Sequence, residues 1–371
     1  MSARHLYVHV PFCARRCSYC DFAIAVRREV PWEGFAQGIA DELRVRDLGG
    51  SAPLSTLYFG GGTPSRLGGE GVMRLVDVVR ERFALDPGVE VTLEANPEDV
   101  GPEAVRAWRG AGINRVSLGV QSFDPAVLQW MHRVHSAEAA GDAVRVLRDE
   151  GIDELSLDLI YALPATVTRS WERDLDHALA LAPQHLSCYG LTIEPRTPLG
   201  RWASRGEVVA ANEEAYEHDF LATHAALSAA GYEHYEVSNY ARPGHRAVHN
   251  SAYWAAVPYI GLGPSAHGFD GNERRWNRPE YAAWQAAVTR GEDPVEGREF
   301  LTAEQRSIET VYLGLRSDDG LALLPGDAAV IGRWCDVGWG AVYEERLRLT
   351  PLGWLRLDAL AAALTDHRSR Y

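Results

Sequence analysis

Cysteine is scarce in this chain, five in 371 residues, and three of the five crowd into one short loop. No second pair stands near them; Cys188 and Cys335 are isolated and distant. Three thiols so close together, and odd in number, exclude a disulfide framework. A closed structural zinc site wants four ligands, commonly as two spaced pairs, and the second pair is missing. No run of about 18 apolar residues occurs, which excludes a conventional transmembrane helix. The N-terminus lacks the charged and apolar regions of a signal peptide. Basic charge is also short: 37 Lys and Arg stand against 51 Asp and Glu, a net charge of −14. That balance argues against a main role on nucleic acid or an anionic membrane surface. No internal repeat beyond strand–helix alternation is visible, and no low-complexity tract. Clustered free cysteines fit a reducing compartment, so the expectation is a cytoplasmic protein.

What is present suits a large α/β domain followed by a smaller one. Hydrophobic residues make up 46% of the chain, enough to bury a full core. The first 195 residues alternate strand-like and helix-like patterns, the signature of βαβ units and a parallel sheet. Strands are expected over 6–10, 56–59, 89–94, 115–120, 155–161 and 186–193. Helices over 31–48, 69–83, 103–111, 137–150 and 170–182 separate them, the first opened by Pro31 and closed by Gly49-Gly50. Six such repeats suit an open, partial (β/α)6 barrel, with residues 1–235 as the core domain; 196–206 reads as a loop, 212–230 as a helix, and 232–238 as a strand-like segment that runs across the boundary. An aromatic- and histidine-rich extension follows over 236–299, with 239–267 read as a loop. Residues 300–371 read as a small helical, winged-helix-like end domain in which 347–357 forms a hairpin. The cysteines, the glycines at 60–62, Glu94 with Asn96, Gln121 with Ser122, Asp158 with Tyr161, and 189–192 fall at or near the C-terminal ends of successive strands. In a parallel barrel those ends share one face, where active sites are built.

Cys13, Cys17 and Cys20 form a Cx3Cx2C array directly after the first strand. Soft sulfur ligands select zinc or iron–sulfur. A three-thiolate cubane would leave one iron open to a further ligand; a three-ligand zinc site and a plain surface loop are the alternatives. The strand running into Gly60-Gly61-Gly62-Thr63-Pro64 permits close backbone approach and adds a hydroxyl, although such a run is also ordinary turn geometry. Cys188 and Cys335 read as small buried hydrophobes rather than ligands.

The cysteine array after a short apolar strand resembles the signature of radical S-adenosylmethionine (SAM) enzymes. The wider strings YVHVPFC and CSYCDF resemble the branch that holds the oxygen-independent coproporphyrinogen III oxidases and the HemW haem chaperones. The resemblance covers nearly the whole chain. It implies a 4Fe-4S cluster on Cys13, Cys17 and Cys20, with SAM on the open iron and available for one-electron cleavage. It also implies SAM contacts at Tyr7, Tyr19, Gly61, Gly62, Thr63, Glu94, Gln121, Arg133 and Asp158. Taken singly, Glu94 could instead belong to a helix-cap network with Asn96, and Asp158 could serve a buried backbone amide.

A second string, His249 to Trp254 (HNSAYW), resembles the HNxxYW motif associated with the HemW proteins and their haem binding, and Gly261 to His267 resembles a GxGxSA segment of the same branch. A neutral imidazole is a common haem ligand, which makes His249 the candidate. The alternative is that His249 and Trp254 pack the mouth of the barrel. Two departures from the oxidases are visible: little chain precedes Cys13, where they carry an extension, and Phe22 stands where they carry a further cysteine. The resemblance therefore implies a haem chaperone that binds a cluster and SAM and carries haem as cargo. Its partners would be acceptor haemoproteins, membrane-bound respiratory enzymes among them, without nucleic acid and without coproporphyrinogen oxidase activity. The competing readings are the oxidase, a radical SAM methyltransferase on the same scaffold, and an iron–sulfur protein without SAM affinity; the glycine turn and Glu94 argue against the last.

Overall fold

Six parallel strands carry the centre of the molecule: His5–Val10 (β1), Leu54–Gly61 (β2), Leu85–Ala95 (β3), Arg115–Gln121 (β4), Glu154–Tyr161 (β5) and His185–Gly190 (β6). They pair in chain order, each parallel to the next. The computed structural model describes residues 3–48 and 52–370. Between the strands run Trp32–Val45 (α1), Gly68–Arg82 (α2), Pro102–Ala111 (α3), Pro125–Trp130 (α4), Ala137–Asp149 (α5) and Trp171–Ala180 (α6).

The strands alternate in a way that decides what the two faces of the sheet can do. One phase is apolar: Leu6, Val8 and Val10 on β1, Leu57 and Phe59 on β2, Val116, Leu118 and Val120 on β4, all buried in one core with the helices. The other phase is polar: Tyr58, Thr92, Glu94, Ser117, Ser156, Asp158 and Ser187 line cavities on the inner face. A parallel sheet covered on both sides normally reads as a nearly continuous hydrophobic run. Here the second face cannot be packed core, and it is left for a site.

The sheet grows beyond the six strands at both edges, using chain from the later half. On the β6 side lie Asn239–Ala241 and Glu233–Glu236, both antiparallel. On the β1 side, Tyr259–Leu262 pairs parallel to β1, and His267–Phe269, Glu273–Asn277 and Val295–Phe300 follow antiparallel. Twelve strands thus form one sheet that does not close on itself. The rest is helical, with Ala303–Arg316, Ala328–Asp336 and Leu357–Arg368 around a three-stranded antiparallel sheet. No described helix is long and apolar enough to cross a membrane.

Several elements differ from the sequence expectation. The stretch 239–267 is not a loop but two strands and the helix Val248–Trp254, because pairing with β1 and β6 imposes order that its glycines and polar residues conceal. Residues 196–206 contain the helix Pro198–Ser204, opened by the Thr197 hydroxyl accepting from the Gly200 N–H at 2.9 Å. The expected hairpin at 347–357 is displaced: Arg346–Leu349 pairs back to Gly340–Tyr343 across a turn in which Glu344 and Glu345 are both left-handed. Pro351–Trp354, inside the expected hairpin, is a short helix capped by Thr350. The Gly49-Gly50 pair expected to end α1 lies outside the described residues.

One buried carboxylate ties the later chain to the barrel. Glu42 on α1 is 0% exposed and accepts from Arg46 Nη1 at 2.7 Å, Gly263 N at 2.8 Å, Asn277 Nδ2 at 2.7 Å and Trp284 Nε1 at 2.8 Å. Arg46 is almost as deeply buried. Removing one partner of a buried pair strands the other charge, a loss of about 3–5 kcal/mol. Glu42→Ala should therefore lower the chemical denaturation midpoint markedly, and an unchanged midpoint would contradict this role.

Candidate functional site

At the end of β1 the chain turns at Pro11 into the cysteine loop, whose base is fixed by backbone pairing. Phe12–Cys13 runs parallel to Ala25–Val26, with Ala25 N donating to Pro11 O at 2.7 Å and Arg27 N to Cys13 O at 3.0 Å. Its middle is fixed at Ser18, which is fully buried and bonded through its backbone to Met131 and Leu199. The three sulfurs thus sit on a short, doubly anchored loop at the C-terminal edge of the parallel sheet.

A cavity of about 360 Å³ opens there. Of the residues singled out from the sequence, Cys13, Cys17, Cys20, Tyr19, Gly61, Gly62, Thr63, Glu94, Gln121, Arg133 and Asp158 line it. Tyr7 and His249 do not. Ser117 and Gly119, which the sequence reading passed over, also line it; they share the inward phase of Gln121 on β4, a signal that period-2 alternation carries. Glu98, His132 and Val134 line it too, and only their nearness to Asn96 and Arg133 could have pointed to them.

The glycine turn fits against the cysteine loop with no room for side chains. Gly61 has φ +113, and a Cβ there would lie 2.6 Å from the His9 ring. A Cβ on Gly62 would lie 2.7 Å from the Pro11 carbonyl, while its N–H donates to Val10 O at 2.8 Å. The Thr63 hydroxyl is 3.5 Å from Cys13 Sγ.

Two carboxyls face the cavity from neighbouring parts of the sheet. Glu94 accepts from the Tyr58 hydroxyl at 2.9 Å and from Gly61 N at 3.0 Å. It makes no cap with Asn96, whose Oδ1 instead accepts from Arg133. Asp158 accepts from the Ser117 hydroxyl at 3.0 Å rather than from a backbone amide. Burial, reinforced by the Asp158 charge, pushes Glu94 up to about 7. Burial likewise pushes Asp158 up to about 6, against the hydroxyls of Ser187 and Ser117. Both values lie above the ordinary carboxyl range, so negative charge accumulates there as pH rises through about 6 to 7. A cationic ligand would favour that ionisation.

The thiols are set for a soft metal. Burial raises the Cys13 thiol, and burial together with the neighbouring thiols pushes Cys20 up to about 11. As free thiols these two therefore stay protonated until metal replaces the proton. Arg133 brings a guanidinium to 3.6 Å from Cys17 Sγ, fixed by Asn96 Oδ1 at 2.6 Å and Gly119 O at 2.7 Å. Among the described residues, no three His, Cys, Asp or Glu side chains form a group that could hold a single metal ion. Soft sulfur donors of this kind suit zinc or an iron–sulfur cluster.

Tyr7 and His249 lie one layer beneath. The Tyr7 hydroxyl meets His9 Nδ1 at 3.1 Å, and its ring stacks on Tyr58. His249 is 1% exposed; its Nδ1 meets the Thr56 hydroxyl at 2.7 Å and its Nε2 the Tyr253 hydroxyl at 2.9 Å. Burial pulls this imidazole down to about 3, so it is neutral. It stacks on Tyr58 at 5.0 Å, and through Tyr58 it braces Glu94. Both of its nitrogens are thus engaged, and it does not line the cavity. Trp254 packs under the Arg316 guanidinium at 4.2 Å.

Residues 7–178 match the radical SAM superfamily. The chain is 39% identical over 366 residues to the heme chaperone HemW of Mycobacterium tuberculosis (strain ATCC 25618 / H37Rv), covering 97% of this chain and 94% of that one. It is 40% identical over 266 residues to the heme chaperone HemW of Escherichia coli (strain K12), covering 71% and 69%. Among solved structures it superposes on coproporphyrinogen III oxidase (HemN) from Escherichia coli with a TM-score of 0.82, over 97% of this chain and 89% of that chain. At 23% identity this likeness speaks to the fold alone.

If the turn after β2 carries the ligand, filling it should block binding. Gly62→Val should weaken SAM binding by about 1–2 kcal/mol or more, the scale of a buried steric clash, read by calorimetry on the cluster-loaded protein. Undiminished SAM affinity would place the ligand elsewhere.

Proposed function

Because this chain belongs to the HemW family of the radical SAM superfamily, we propose that it is a haem chaperone holding a 4Fe-4S cluster and SAM at the open end of its barrel and passing haem to acceptor haemoproteins. The observation that carries the cofactor half is the single cavity that gathers three thiols, a side-chain-free glycine turn and two raised carboxyls. Cys13, Cys17 and Cys20 would hold the cluster. The Gly61–Thr63 turn would lie along SAM, with Glu94 and Asp158 drawing its cationic groups. Arg133 would offset thiolate charge at Cys17. When bound, the cluster and SAM supply one-electron cleavage of the sulfonium; the protein's part is binding, orientation and exclusion of water.

The cargo half rests on the relatives, which carry the name heme chaperone. The acceptors would be haemoproteins met in the cytoplasm or at a membrane face, respiratory enzymes included. A second reading, coproporphyrinogen III oxidase, comes from the strings YVHVPFC and CSYCDF, which resemble that branch as well. Against it stands Phe22, which occupies the position of the oxidases' further cysteine and is 65% exposed at the cavity.

The two readings part on one preparation. Reconstituted protein, reduced and supplied with SAM, should bind haem with a defined Soret band and leave coproporphyrinogen III unconsumed. Robust protoporphyrinogen formation would overturn the chaperone and promote the oxidase.

A further inference from the structure

A haem-ligating histidine must present a free imidazole nitrogen to an opening a porphyrin can reach. His249 does not, being enclosed and bonded at both nitrogens. His132 does. It is exposed, it is the one histidine among the described residues that lines the cavity, and its ring nitrogens make no hydrogen bond there. Its ring meets Trp202 edge-on at 5.8 Å, which limits its swing.

The backbone fixes how His132 is presented. His132 has φ +60, a left-handed conformation that disfavours side-chain-bearing residues. The turn ending α4 holds it there, with His132 N donating to Gln129 O at 3.1 Å and Arg133 N to Leu128 O at 2.8 Å. This one turn sends Arg133 inward to Cys17 and leaves Val134 57% exposed at the lip. Phe22, 65% exposed, lines the same cavity. Exposed apolar side chains that line one open cavity mark a binding surface rather than ordinary surface. Arg15 and Arg16 are exposed on the cysteine loop beside them, and Arg15 donates to the Arg133 carbonyl. In a chain of net charge −14, two arginines beside an apolar lip suit a flat apolar ligand bearing carboxylates.

We propose that haem is seated on this lip, with His132 as its axial ligand, Phe22 and Val134 against the porphyrin, and Arg15 and Arg16 toward the propionates. This rests on the chaperone reading above and names where the cargo sits. The cavity behind, about 360 Å³, has room for one ligand of SAM's size. The larger tetrapyrrole therefore rests outside it, beside rather than in place of SAM.

The test is a haem titration of the cluster-loaded, full-length protein and its His132→Gly variant. Glycine suits the left-handed backbone, so the variant should melt no lower and keep its iron. It should bind haem at least tenfold more weakly with a displaced Soret band, and added free imidazole should restore the band. Arg15→Glu with Arg16→Glu should weaken binding without moving the band, because the iron ligand is unchanged. Haem binding by the unmutated protein that is identical in His132→Gly overturns this placement alone. No haem binding by the unmutated protein overturns both the placement and the chaperone reading.

Discussion

The site depends on how closely the turn after β2 approaches the cysteine loop. The Gly62 N–H reaches the Val10 carbonyl at 2.8 Å only because no side chain intervenes between it and Pro11. From that contact follow the Thr63 hydroxyl beside Cys13 Sγ and the Gly61 N–H aimed at Glu94. Loop, turn and carboxylate come from β1, β2 and β3, three consecutive strands held in register by parallel pairing. The sulfur loop and the ligand pocket are therefore one mechanical unit, not two neighbouring features.

The inner face of the sheet shows what such a site requires. Its outer face contributes the core, and its inner face keeps buried polar groups that a packed interior would exclude. Some of these groups lack a protein partner, among them Thr92 Oγ1 and Arg115 Nη2. A second small cavity of about 40 Å³ lies against both residues, space for a bridging water. Tyr58 links the layers, donating to Glu94 above while stacking on His249 below. Any movement of the HNxxYW helix would thus be felt at a cavity carboxyl.

The sequence carried the barrel well and the later chain poorly, for physical reasons. The six central strands have strong apolar periodicity and helices between them, so local pattern and tertiary structure agree. The strand Tyr259–Leu262 has only four residues, two of them apolar, and owes its order to β1; nothing local marks it. The helix Pro198–Ser204 is too short for its periodicity to stand out, and 196–206 therefore reads as a loop. The hairpin before 350 is hidden from local pattern because two adjacent glutamates adopt a left-handed turn usually signalled by asparagine or glycine. The spacing of Cys13, Cys17 and Cys20 marks them as soft metal ligands, and all three line the cavity. The HNxxYW string points to His249 alone and cannot show that both of its nitrogens are bonded inside the fold.

A cluster held by Cys13, Cys17 and Cys20 would leave one iron open to SAM inside this cavity. Low-temperature electron paramagnetic resonance of the reduced, reconstituted protein tests it directly. The expected result is the signal of a reduced 4Fe-4S cluster that changes shape when SAM is added, as a new ligand reaches the open iron. A cluster signal that saturating SAM leaves unaltered would contradict it.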